Sequence, residues 1–248
     1  MQKFKISFRL KTLIDQAKLI PIDIRKIADI GTDHGYLPYK MFENNLIQQS
    51  ILCDINDGPL ENAKQTFKNS TYNEHATFRL GSGIKPLNNG EVDVVFIAGM
   101  GGGLIQNILT ENLDKTKSFA YYVLQPMTEQ SQLRTWLLEN NFEILWDHFF
   151  TDANKHYEMC VVSTKLTSTT QIDSYEIPGG DLEFGKRILI TQIPNYLNFL
   201  HFKSKKYQII SNQIHKEGNN DNSDKINMCH DKLKMIQMII DDLDNISK

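Results

Sequence analysis

Residues 29–38 read Asp-Ile-Gly-Thr-Asp-His-Gly-Tyr-Leu-Pro and follow directly on the apolar pair Ile27-Ala28. A strand that ends in an acidic residue, a glycine turn and an opening helix is compatible with few folds. Gly31 lets the backbone turn sharply and come close to a ligand, while Asp29 at the strand tip offers carboxylate acceptors.

The spacing of the glycines narrows the ligand. A dinucleotide site wants Gly-x-Gly-x-x-Gly with the pyrophosphate resting on the helix N-terminus, whereas Gly31 and Gly35 are four positions apart. A methionine-bearing sulfonium has no phosphate to cradle, so a looser turn with an acidic flank suits S-adenosylmethionine better than NAD. Asp29, Gly31, Thr32 and Gly35 are the first cofactor candidates, and a plain strand-turn-helix is the alternative. The next apolar run, Ser50 to Cys53, ends in Asp54, 23 residues beyond Gly31. Doubly wound sheets read ribose hydroxyls with an acidic side chain at about that distance. Asp54, followed by Ile55, is therefore the expected ribose ligand, with helix capping as its competing role.

Two further strand ends carry glycines. Ala76-Thr77-Phe78 leads into Arg79-Leu80-Gly81-Ser82-Gly83, and Val92 to Ile97 leads into Ala98-Gly99-Met100-Gly101-Gly102-Gly103. Ligands of open α/β sheets collect at this edge, and four glycines in five residues let another molecule approach the backbone. Ser82, Gly83, Gly99, Gly101 and Gly102 join the cofactor set. Asp33, His34, Tyr36 and Met100 are the expected catalytic walls of a substrate pocket, each with a structural alternative as cap or core residue.

These elements, with Leu-Gln-Pro at 124–126, occur in order and together resemble the bacterial tRNA (adenine(22)-N1)-methyltransferases, over most of residues 5–165. The resemblance implies a class I methyltransferase sheet with a helical C-terminal extension, S-adenosylmethionine as cofactor and methyl transfer to N1 of an adenosine in tRNA. A methyltransferase acting on a small molecule or a protein is the alternative. The family often carries Asp where this chain has Ser82, at a position that in class I enzymes commonly contacts the adenine amino group.

Composition agrees with a cytoplasmic enzyme. The 248 residues, 40% of them hydrophobic, are enough for one large domain plus an appendage. No stretch reaches the run of about eighteen apolar residues that a membrane span needs. Cys53, Cys160 and Cys229 are far apart and lack metal-ligand spacing, so three free thiols and no metal are expected. The net charge of −3 argues against a broadly basic RNA-binding coat. RNA contact is then a local matter, and residues 201–216 hold four lysines and no acidic residue. Lys203, Lys205 and Lys206 are candidates there, with Arg134, Lys186 and Arg187 elsewhere.

Strand signals near 27–30, 50–54, 76–80, 92–97 and 119–125 alternate with helical patterns, which predicts a Rossmann-like parallel sheet. Phe142 to Phe150 and Tyr157 to Leu166 read as a terminal antiparallel hairpin. The polar stretch Thr167 to Gln171 marks a boundary, giving a cofactor-binding domain over 1–170 and a helical hairpin with a coiled-coil-like stripe over 171–248. That stripe is Ile226, Cys229, Leu233, Ile236, Ile240 and Leu243, and its expected partner is the segment holding Leu197, Leu200, Tyr207, Ile210 and Ile214. A monomer is expected, with dimerisation through the last helix as the rival.

Overall fold

The computed structural model describes residues 6–165, 173–217 and 223–246. Five strands form its parallel centre: β1 (Lys26–Ile30), β2 (Gln49–Asp54), β3 (Ala76–Leu80), β4 (Val94–Met100) and β5 (Tyr121–Pro126). Helices α1 (Phe8–Ala17), α2 (Tyr36–Glu43), α3 (Asp57–Phe67), α4 (Gly102–Thr110), α5 (Leu113–Ser118) and α6 (Gln130–Glu139) surround them. The hairpin of β6 (Glu143–Asp152) and β7 (Lys155–Ser163) then adds antiparallel pairing to β5. Its two-residue turn places Ala153 and Asn154 at φ +46° and +62°, the left-handed pair that a tight hairpin requires.

The strand order is β3-β2-β1-β4-β5-β7-β6-β9-β8, the last two being β9 (Arg187–Leu189) and β8 (Ser174–Glu176). The fold is thus the expected mixed α/β Rossmann-like sheet. The sheet also continues past residue 170, because β9 pairs in parallel with β6 through Asp147 and Ile188, and β8 pairs antiparallel with β9. A purely helical second part therefore begins later than expected, at α7 (Ile193–Glu217), which is followed by α8 (Ser223–Ile246). Two three-residue strands leave almost no periodic signal, which is why composition alone put the break earlier. The polar boundary segment itself lies outside the described residues.

Parallel strands covered on both faces must be apolar on both faces, and successive residues here feed opposite cores. Ile27, Leu52, Val94, Phe96 and Val123 pack with α1, α2 and α3 on one side. Ala28, Ile51, Cys53, Val95, Ile97 and Leu124 pack with α4 and α6 on the other. A third core joins α7 and α8 to the sheet through Phe149 and Ile188, with Leu200, Tyr207, Cys229, Ile236, Ile239 and Leu243 buried. The apolar stripe of α8 is thus covered by α7 of the same chain. Cys53, Cys160 and Cys229 are buried free thiols. Among the described residues, no helix is long and apolar enough to cross a membrane.

Helix α1 was not foreseen from the N-terminal pattern. Ser7 caps it by accepting the Leu10 N–H, and Leu13, Ile14 and Ala17 enter the first core. Gln16 Oε1 accepts from Trp146 Nε1 at 2.9 Å and from Gln192 Nε2 at 2.8 Å, which fixes α1 to β6 and to the turn before α7. The first turn of α1 consequently lies at the carboxyl ends of β4, β5 and β6.

Candidate active site

The crevice forms where β1 and β4 lie side by side, because the chain leaves β1 toward β2 and leaves β4 toward β5. Such a switch point is where open α/β sheets bind ligands. Asp29 sits at the tip of β1 and is 8% exposed, and Thr32 Oγ1 donates to its Oδ2 at 2.6 Å. Burial lifts the Asp29 carboxyl to a pKa of about 6, against the lowering pull of the Thr32 hydroxyl and the Arg9 guanidinium. The N–H groups of Gly31 and Thr32 both donate to the Cys53 carbonyl, at 2.8 and 3.2 Å, tying the turn to the end of β2. Gly31 has φ +74°, and a Cβ there would meet Met100 Cε at 2.3 Å. Met100 therefore reaches from the tip of β4 across the β1 turn, and the backbone conformation at Gly31 favours glycine.

Asp54 ends β2 and its Oδ1 accepts the Asn56 N–H at 2.9 Å, which organises the start of α3. Part of the capping alternative is thereby realised, while Oδ2 has no partner among the described residues. Ile55 is 64% exposed and Leu80, at the tip of β3, is 54% exposed, so two apolar side chains flank that carboxylate. Ser82 is half-buried in the next turn.

Several glycines singled out as cofactor contacts face the protein itself. Gly35 is buried, and a Cβ would meet Leu52 Cδ2 at 2.8 Å and Phe67 Cε2 at 3.1 Å. Gly83 packs against Ile108, with 2.8 Å from a Cβ to its Cγ2. A Cβ on Gly102 would meet the carbonyl oxygens of Glu129 and Thr128 at 2.6 and 2.7 Å, and one on Gly101 would meet Thr128 Oγ1 at 3.1 Å. The Gly102 N–H already donates to Thr128 O, at 2.9 Å. The close approach that this glycine run permits is thus between α4 and the loop before α6. Gly99, exposed with φ +82°, is the member left on the open crevice.

Asp33 and His34 are exposed and Tyr36 is half-buried. The His34 and Tyr36 rings stack at 5.1 Å with planes 8° apart, forming an aromatic platform beside Asp29 in the chain.

Two residues at the crevice carried no functional expectation from the sequence. Arg9, in the first turn of α1, donates from Nη1 to Gln125 Oε1 at 2.9 Å, and a Cβ on Gly99 would lie 3.6 Å from that nitrogen. Gln125 is fully buried within an otherwise apolar strand. A polar residue inside such a run was the signal available for Gln125; nothing local marked Arg9.

A family model for tRNA (adenine(22)-N(1))-methyltransferase matches residues 27–237. The chain belongs to this family. The tRNA (adenine(22)-N(1))-methyltransferase of Bacillus subtilis (strain 168) is 35% identical over 161 residues, 65% of this chain and 66% of that protein. The matched stretch thus spans just under two thirds of that curated relative. The crystal structure of the B. subtilis M1A22 tRNA methyltransferase TrmK has a TM-score of 0.75 and 29% identity, covering 96% of this chain and 100% of that one. M. capricolum TrmK in complex with S-adenosyl-homocysteine, the natural cofactor product, has a TM-score of 0.73 and 26% identity, covering 96% and 99%.

In this family member the six basic candidates for RNA contact divide sharply. Arg134 is 2% exposed and must be withdrawn: its Nε donates to Asp147 at 2.7 Å and its Nη1 to Glu158 at 2.9 Å. Burial would lower its pKa, but the two carboxylates hold it raised. Lys203 is likewise engaged, with its ammonium 2.9 Å from Glu183 in the turn before β9. Burial alone would raise the Glu183 pKa, yet the Tyr207 hydroxyl and the Lys203 ammonium bring it down to about 2. Lys186 pairs with Glu176, and Arg187 lies 3.8 Å from Glu143. Lys205 and Lys206 are exposed on α7.

Proposed function

We propose that this protein transfers the methyl group of S-adenosylmethionine to N1 of adenosine 22 in tRNA. The observation that carries the reading is the buried Asp29, held by Thr32 beside the left-handed Gly31 at the switch point between β1 and β4. With a pKa of about 6 its carboxyl is ionised at neutral pH, which suits a cationic ligand. Gly99 leaves backbone open to close approach, and Asp54 Oδ2 is an acceptor for ribose hydroxyls. Ile55 and Leu80 supply apolar surface beside it, with Ser82 in place of a carboxylate. These residues fit the cofactor.

When bound, S-adenosylmethionine supplies an electrophilic methyl group on a sulfonium. Adenine N1 carries an in-plane lone pair and is largely unprotonated at neutral pH, so no side chain has to remove a proton before attack. The task of the chain is positioning and exclusion of water, which in favourable cases contributes roughly 7–11 kcal/mol. The His34–Tyr36 platform offers a flat aromatic face for the target base, and Met100 closes the space between the first and fourth strand tips. In paired RNA the N1 edge is hidden, so the adenosine must be unpaired or flipped out. Lys205 and Lys206 are the exposed cations on α7 best placed to meet phosphates.

The test is incubation with S-adenosylmethionine and an unmodified tRNA transcript bearing adenosine at position 22, then digestion and mass spectrometry of the nucleosides. The reading expects 1-methyladenosine that disappears when that adenosine is replaced. A preparation that binds the cofactor yet methylates no tRNA would move the substrate to a small molecule or protein.

A further inference from the structure

The hairpin turn between β6 and β7 stands at the same edge of the sheet as the crevice. Asp152, at the end of β6, accepts the Arg9 N–H at 3.1 Å, and Arg9 Nη1 reaches Gln125 near the tip of β5. Beside that turn, His156 of β7 stacks on Phe202 of α7, with ring centroids 3.8 Å apart and planes 22° apart. Thr151, the ladder partner of His156 across the hairpin, places its Oγ1 3.1 Å from His156 Nδ1 and so fixes the plane of the imidazole. Partial burial and the neighbouring Lys203 ammonium hold the His156 pKa below the usual imidazole value, so the ring is neutral at pH 7.

Two features set this pair apart from ordinary packing. Both residues are exposed, Phe202 by 40%, so aromatic surface remains in water after the stack is made. The helix that carries Phe202 is also charged with one sign, since α7 holds four lysines and no acidic residue before Glu217. Lys203 is taken up by Glu183 at 2.9 Å, which anchors the helix at this level, whereas Lys205 and Lys206 are exposed. Lys206 and Ile209 follow Phe202 by four and seven positions and share its exposed face. Flat rings interleaved with cations are how proteins hold unpaired nucleotides, the base on the ring and the phosphate on the ammonium. We propose that the His156–Phe202 pair stacks an unpaired base of the tRNA, at a point on the RNA distinct from the adenosine that enters the crevice. This inference rests on the tRNA reading above and adds a second hold on the RNA. Stacking gives affinity without reading sequence, so this hold sets where the strand lies and leaves the choice of target base to the crevice.

The experiment is equilibrium binding of an unmodified tRNA transcript to the full chain, repeated over a range of salt. Phe202→Ala should weaken tRNA binding by roughly 5- to 150-fold, the worth of one stacked base, and leave S-adenosylhomocysteine affinity unchanged. Phe202→Leu, which keeps an apolar contact with His156 and loses the ring, should weaken it similarly. Phe202→Trp, which enlarges the ring, should bind at least as tightly as the wild type. The slope of log affinity against log salt should stay at its wild-type value in all three, because no phosphate contact is lost; Lys205→Ala with Lys206→Ala should instead flatten it. Wild-type tRNA affinity in Phe202→Ala or in Phe202→Leu would overturn the assignment. A weakened Phe202→Trp protein with a lowered melting temperature would also overturn it, since the pair would then be packing alone. Either result, with a wild type that methylates tRNA, removes this inference and leaves the function standing. A wild-type protein that binds the cofactor and no tRNA would remove the substrate reading with it.

Discussion

Thr32 Oγ1 and Asp29 Oδ2 lie 2.6 Å apart at the tip of the first strand, and both residues are buried. A carboxylate whose burial is only partly offset by one hydroxyl keeps a raised pKa, here about 6 against 3.8 for the ordinary side chain. The folded state then binds the Asp29 proton more tightly than the unfolded chain does. The contribution of Asp29 to stability is present below pH 4 and is lost as pH rises toward 6. Ligand binding runs the other way, since a ligand ammonium needs the ionised form. Affinity for S-adenosylhomocysteine is expected to fall below pH 6, by up to about tenfold per unit. Asp29→Asn should bind weakly with a flat profile between pH 5 and 8; calorimetry that finds the wild-type profile flat removes Asp29 from cation binding.

Asp54→Ala should lower cofactor affinity without unfolding the protein, because the Asp54 side chain is tied to the fold by a hydrogen bond to the neighbouring Asn56 N–H. Loss of that bond costs about 1 kcal/mol of stability. Wild-type affinity in the variant, measured by titration, would sink the ribose assignment.

Arg134→Ala leaves Asp147 and Glu158 buried without their shared cation. Breaking a buried ion pair from one side costs about 3–5 kcal/mol. Denaturant unfolding should show that loss, while the KM for tRNA, measured well below the melting temperature, should not change. A raised KM in a fully folded variant would restore a direct RNA role. Lys205→Ala with Lys206→Ala gives the complementary result, weaker tRNA binding and unchanged stability.

His34→Ala removes half of the stacked platform on an exposed surface. Methyl transfer to tRNA should drop more than cofactor affinity does, and the fold should be unaffected. Single-turnover rates at saturating cofactor give the measurement, and an unchanged rate would dismiss His34 as a wall of the substrate pocket.

Gly102→Ala should destabilise by about 1–3 kcal/mol, since its Cβ would fall 2.6 Å from a backbone carbonyl that cannot rotate away. Gly58, in α3, where an added Cβ would have no atom within 4 Å, should instead gain about 0.5 kcal/mol as Ala. Thermal melts of the two variants shifting in the same direction would show that contact is not what distinguishes these glycines.

The parallel strands were legible because burial on both faces forces continuous apolar runs, and the first four runs here end in a glycine or an acidic residue. Asp29, Gly31 and Asp54 stand at those strand tips, and the cofactor role proposed for them rests on that position. Gly35, Gly83 and Gly102 pack against Phe67, Ile108 and the Glu129 carbonyl, and in sequence a glycine needed for such contact looks like one needed for a ligand. Arg134 was misread because its partners lie 13 and 24 residues away, on strands that only the folded sheet brings beneath α6.

Local periodicity and turn chemistry were enough to place the first seven strands along the chain and the apolar stripes of the last two helices, while α1, β8 and β9 emerged only on folding. Which charges remain free was settled only by folding. The assembled sheet buries Arg134 and Lys203 against carboxylates distant in the chain, and it carries Arg9 across 116 positions to Gln125. A charged side chain settles where its desolvation is compensated, and that depends on neighbours which the chain supplies only after folding.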